Sequence, residues 1–175
     1  MGATFRVLLA AGLMSVGCAG LLDSGCAAAA EASGCGQFKW PIAHEQAALA
    51  APTVGPLAPG AALPADAGAR LALVPFAEAK LALAPERPPK FSPSYAGAFS
   101  LDAPAAPAVY KVTLSAGGWI DVVQDGKFLK PMAFADAAGC AGVRKSVKFR
   151  LAAEPTTLQL TGVGGREISV IVSPE

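Results

Sequence analysis

The chain has 175 residues, 14 basic and 13 acidic side chains, one histidine, and a 53% hydrophobic composition. Such a near-neutral balance argues against nucleic acid as the main partner, because phosphate binding is driven by clustered cations. One histidine, His44, cannot build an H-E-x-x-H zinc motif or a two-histidine iron triad within one chain, so no metal and no cofactor is expected.

The beginning of the chain has the pattern of an export signal. Met1 to Arg6 carries one positive charge, and Val7 to Leu22 is an apolar run of 16 residues, short of the roughly 20 needed to cross a bilayer core. The small-residue tract "GCAAAAEAS" follows and offers Ala28-x-Ala30 and Ala30-Glu31-Ala32 as cleavage signals. The predicted signal peptide is residues 1–32, cut after Ala32, with Ala30 as the alternative. Acylation is disfavoured, because Ser15 and Asp23 stand three positions before Cys18 and Cys26 where a lipobox has an aliphatic residue. The expected product is therefore periplasmic or secreted, with no transmembrane segment after cleavage.

Cleavage removes Cys18 and Cys26 and leaves Cys35 and Cys140. An even pair in an oxidising compartment is most simply a disulfide, two unpaired buried thiols being the alternative. From Ser33 onward 13 basic and 11 acidic residues remain, a net charge of about +2 with His44 neutral.

The predicted elements then follow in order. Residues 33–68 hold a short helix over Ile42 to Ala51, between Pro41 and Pro52, and a Pro/Ala/Gly-rich connector. Frequent Pro and Gly in the connector forbid a regular helix and lower strand propensity, so that an ordered-to-extended path is expected. From residue 69 the period changes to two. "RLALVPF", "YAGAFSL", "VYKVTLS", "WIDVVQD", "RKSVKFRL", "TTLQLTG" and "EISVIVS" are strand-length runs separated by Pro, Gly or Asp. They predict an all-β, antiparallel β-sandwich of jelly-roll or Ig-like type over residues 69–175. "SAGGW" and "GVGG" are read as hairpins, and Asp125-Gly126 as a tight turn. Alternation sends Tyr110, Val112, Leu114, Val147, Phe149, Leu151, Leu158, Leu160, Ile168, Val170 and Val172 inward.

Candidate chemistry is sparse. A Ser-His-Asp site would have to recruit His44, read here as an exposed helix residue, and no G-x-S-x-G elbow occurs. Asp121, Asp125, Asp136 and Glu167 could supply a glycosidase pair, but Asp125 reads as a turn residue and Asp121 as an outward residue facing water. "GVGG" precedes a strand rather than a helix and makes no phosphate loop. Arg144, Lys148 and Arg150 form a basic row opposite Val147, Phe149 and Leu151, and Trp119 follows a Gly-Gly turn where an indole can stack on a sugar. These four are the candidate ligand-binding residues, and Trp40 is expected to pack under the disulfide.

On "C..FKWPIAHEQAAL", "YKVTLSAGGWIDVVQDGKFLKP" and "CAGVRKSVKFRL", the chain resembles a family of small exported bacterial proteins without established function. Some members carry the label homogentisate 1,2-dioxygenase, which requires a His/Glu iron site that one histidine cannot supply. In strand pattern the second half is similar to the pre-peptidase C-terminal β-sandwich, a likeness of fold that carries no site. The expected function is a non-enzymatic binding module for an envelope glycan, an anionic lipid head group or a protein partner. The competing readings are a carbohydrate-active hydrolase using an Asp/Glu pair and a structural subunit of an envelope complex.

Overall fold

A computed structural model describes residues 34–175, and the expected signal peptide lies outside the described residues. All seven alternating runs form strands. In chain order the elements are a 3-10 turn (Gly34–Gln37), α1 (Ala43–Ala50), β1 (Val54–Leu57), β2 (Ala62–Leu63), β3 (Ala69–Ala72), β4 (Val74–Pro75), β5 (Tyr95–Leu101) and β6 (Ala108–Leu114). After these come β7 (Trp119–Gln124), β8 (Lys127–Phe128), β9 (Ala133–Asp136), β10 (Lys145–Leu151), β11 (Thr156–Val163) and β12 (Glu167–Pro174).

They build two packed sheets. The first runs β1-β3-β12-β6-β10-β9, and the second β2-β5-β11-β7-β8 with β4 also on β5. The connector is not a mere spacer, because β1 lies parallel to β3 and β2 parallel to β5. Those two pairings make both sheets mixed, where a purely antiparallel sandwich was expected. Pro and Gly do weaken strands, but both connector strands sit at sheet edges, where a missing backbone donor costs least.

The inward set matches the alternation. Val112, Leu114, Val147, Phe149, Leu151, Leu158, Leu160, Ile168, Val170 and Val172 are buried in one inter-sheet core, with Tyr110 packed against it. Truncating a residue such as Phe149 in that core would cost about 3–5 kcal/mol.

Two of the three predicted turns have a different role. Asp125 and Gly126, both at positive φ (47° and 67°), close a true β7–β8 hairpin in which Gln124 faces Lys127. The links 115–118 and 164–166, in contrast, carry the chain from one sheet to the other, because β6 and β12 belong to the first sheet and β7 and β11 to the second. They are arches across one end of the sandwich. A glycine-rich turn read without its partner strands looks the same in either case.

Both outer faces are covered. On the first sheet lie α1 and the segment before it, with Phe38, Ile42, Leu49, Ala137, Cys140, Val143 and Ile171 forming a second apolar cluster. Cys35 and Cys140 are joined by a disulfide (Cα–Cα 4.4 Å), and Trp40 is packed against the cluster containing Cys140. Gly68 lets the helix approach closely, since a Cβ there would lie 2.1 Å from the Ala48 carbonyl oxygen. Over the second sheet runs a strap, residues 79–94, fixed by the buried Gln159 side chain. Its Oε1 accepts from Leu83 N at 2.8 Å and its Nε2 donates to Leu83 O at 3.2 Å.

Candidate functional site

The arches at 115–118 and 164–166 and the end of the strap enclose a groove of about 840 Å³, bordered by Arg87, Lys90, Phe91, Trp119, Arg144 and Lys145 among others. A second recess of about 330 Å³ opens beside it between β7 and β9–β10, and Arg87, Trp119 and Lys145 border both. Trp119 is thus placed between two hollows at the arched end of the sandwich.

Several contacts set its orientation. Trp119 opens β7 and is half-buried, and its Nε1 donates to Asp121 Oδ1 at 2.7 Å. The Arg87 guanidinium lies 4.6 Å from the indole centroid and Lys145 Nζ lies 5.4 Å away, both within cation–π range. Lys145 Nζ also donates to the Gly118 carbonyl at 2.8 Å. Strand geometry explains the grouping: Trp119 and Asp121 share one face of β7 two residues apart, and Lys145 is the first residue of β10, on the face of Val147 and Phe149.

The charges here are displaced from their ordinary behaviour. Burial lowers the Lys145 pKa, and Arg144, Lys90 and Arg87 add repulsion in the same direction while Asp136 opposes it. Burial raises the Asp121 pKa, with Glu86 adding to the rise and the Trp119 hydrogen bond opposing it. Asp121 is only 5% exposed, and its Oδ2 has no hydrogen-bond partner.

Of the candidate ligand-binding residues, Trp119 and Arg144 come together at the groove. Lys148 does not. Its ammonium lies 4.5 Å over the Trp40 ring and pairs with Glu175, beneath the N-terminal segment. Arg150 is exposed toward the other end of β10. The basic row therefore does not act as one solvated stripe, because the segment before α1 covers its middle; Ser146, between Arg144 and Lys148, is fully buried and accepts from Trp40 Nε1 at 3.3 Å. Arg144 pairs with Asp136.

The acids separate in the same way. Asp121 was expected to face water and is instead buried on the strap-covered face. Asp125 is the hairpin residue at the far end of β7, Asp136 borders the smaller recess, and Glu167 borders the groove. His44 is exposed on α1, with Nε2 2.7 Å from Asp66 Oδ1. Among the described residues no group of three or more His, Cys, Asp or Glu side chains is placed to hold a metal ion.

Arg87, Lys90 and Lys145 were not singled out in the sequence. Lys145 carried a signal, a cation at an inward position of a strand whose next inward residues are Val147, Phe149 and Leu151. Arg87 and Lys90 lie in "PERPPK", where no periodicity assigns a direction.

In comparisons with known proteins, no family model, no curated protein and no solved structure matches the chain. The functional reading therefore rests on the groove.

Proposed function

We propose that this chain is an exported, non-enzymatic β-sandwich protein of the periplasm or the secreted fraction that binds an envelope ligand through the groove at Trp119. One observation carries the reading: a half-buried indole and four cationic side chains converge on a glycine-walled hollow at one end of the sandwich. Pockets of this size with an aromatic wall and few convergent polar groups are typical of ligand sites. The resemblance to small exported bacterial proteins accords with it. The hydrolase reading has less support, because Asp121, whose raised pKa would suit a general acid, lies behind Trp119 and is not part of the groove wall.

The test is envelope-fraction binding by wild-type protein and by Trp119→Ala, with melting temperature measured beside it. Loss of binding with the fold retained supports the reading. Unchanged binding by a folded Trp119→Ala protein overturns it.

A further inference from the structure

We infer that the groove is shaped for a sugar acid: a pyranose-sized ring set beside Trp119, with its carboxylate or phosphate held at Lys145. This rests on the groove being the binding site. The first support is a local excess of positive charge. Arg87, Lys90, Arg144 and Lys145 border the groove, whereas the acids bordering the two recesses are Glu167 and Asp136, and Asp136 is engaged by Arg144. Among the described residues, Arg87, Lys90 and Lys145 make no ion pair. Like charges held together around a partly desolvated site are unfavourable until a counter-charge arrives, and an anion gains from all of them at once. For Lys145, burial is the main cause that disfavours the charged form, Asp136 offsets part of it, and Arg144, Lys90 and Arg87 disfavour it further.

The second support is the kind of surface beside the charges. The Trp119 N–H is already used by Asp121, and its ring holds the Arg87 guanidinium at 4.6 Å and Lys145 Nζ at 5.4 Å. The indole thus gathers two cations at the groove, and the sugar ring is set beside that assembly rather than stacked on a bare face. Gly117, Gly118, Gly164 and Gly165 bring bare backbone to the groove and supply peptide groups without side-chain bulk. The third support concerns access. Lys145 is half-buried and tied to Gly118, set back from the surface rather than projecting from it, so a planar membrane does not reach it while a single charged substituent on a narrow ligand does.

The experiment uses four probes on the full-length protein: methyl glucuronide, its neutral counterpart methyl glucoside, a glucose phosphate, and phosphatidylglycerol vesicles. Calorimetry reads affinity, and NMR of isotope-labelled lysine side chains reads the Lys145 ammonium. The glucuronide, the glucose phosphate or both should bind at least about 10-fold tighter than the glucoside, the size of one charge-assisted hydrogen bond. The Lys145 titration should move to higher pH in the complex. Lys145→Gln should abolish the preference for the acid, and Lys90→Gln, a change at an exposed position, should reduce it by about two- to five-fold.

Equal affinity for the acid and the neutral sugar overturns the inference, as does a preference that survives Lys145→Gln. Absence of saccharide binding at millimolar concentration, or binding to vesicles alone, does so too. Failure here with loss of envelope binding in Trp119→Ala would remove the sugar acid and leave the groove. Retained envelope binding in Trp119→Ala would remove the groove itself.

Discussion

Glu45 and Asp121 are both buried carboxylates on outer sheet faces, and each has one oxygen without a hydrogen-bond partner, yet their acidities move in opposite directions. Glu45, on α1 over the first sheet, is 1% exposed, and burial alone would raise its pKa. Lys111 Nζ at 2.5 Å and Ser173 Oγ at 2.6 Å overcome that cost, so its pKa is lowered. Asp121, under the strap over the second sheet, has only the Trp119 indole N–H, and its pKa is raised. A cation within contact distance is the difference between them. The helix-covered face has neutralised its buried charge and is finished as structure. The strap-covered face keeps an imbalance, next to a groove in which Arg87, Lys90 and Lys145 make no ion pair among the described residues and only Arg144 does, with Asp136. Imbalance of this kind collects where proteins bind and react.

The largest effect on this contrast is expected from removing the staple that only the helix-covered side possesses. Cys35→Ser with Cys140→Ser opens a loop with a sequence separation of 105, which corresponds to about 4–5 kcal/mol in the chain-entropy treatment. Hydrogen exchange should show this loss at every amide that exchanges by global unfolding, with an additional local loss around Phe38, Ile42 and Leu49 that the Leu83–Gln159 contacts do not share. Loss no greater around the helix layer than elsewhere would mean that the two layers are not separate units.

Lys111→Ala should come next. Removing one partner of a buried ion pair costs roughly 3–5 kcal/mol by urea denaturation at neutral pH. It should also turn Glu45 into a second Asp121, its pKa moving from below the ordinary carboxylate value to above it. If stability is unchanged, the pair does not hold the layer.

Gly68→Ala should act on the same layer by geometry alone. A Cβ placed against the Ala48 carbonyl pushes α1 away from the sheet, at about 1–3 kcal/mol, and should loosen the Glu45–Lys111 contact without altering the groove.

Asp121→Asn should have the smallest effect, a gain on the order of 0.5–1 kcal/mol at neutral pH, because the amide oxygen still accepts from Trp119 and no charge is buried. The pH dependences of the two acids should oppose each other. With its folded pKa raised, Asp121 holds its proton longer in the folded state, so its contribution to stability falls as pH rises from the unfolded aspartate value through the folded one. With its folded pKa lowered, Glu45 contributes stability that is present above the unfolded glutamate value and lost as pH falls through the folded one. Subtracting the Asp121→Asn profile from that of the wild type isolates the first slope, and a flat difference would place Asp121 in water.

Period-two alternation located the inter-sheet core because that core asks only that every second residue be apolar. It failed on the other faces for the same reason. Ser146, Thr113 and Ser173 look like solvated strand residues and are buried, satisfied by Trp40, by one another and by Glu45. The partners of Ser146 and Ser173 come from the segment before α1 and from α1, 106 and 128 residues away, Thr113 is satisfied by Ser146 across the strand pair, and no local pattern announces such pairings. The groove was half legible. Trp119 after two glycines drew notice, whereas Arg87 and Lys90 are placed by a strap whose path depends on the Gln159 amide.

The position of β12 bears on how the chain comes to be folded at all. The eight-residue strand Glu167–Pro174 lies inside the first sheet between β3 and β6, where Ser169 faces Arg70 and Val172 faces Val112. A chain synthesised N-terminus first can assemble β6 with β10 but cannot connect them to β3 until β12 has emerged. Closure of the first sheet therefore waits on a strand that follows both of its partners by more than 50 residues, a long-range pairing of the kind that slows folding.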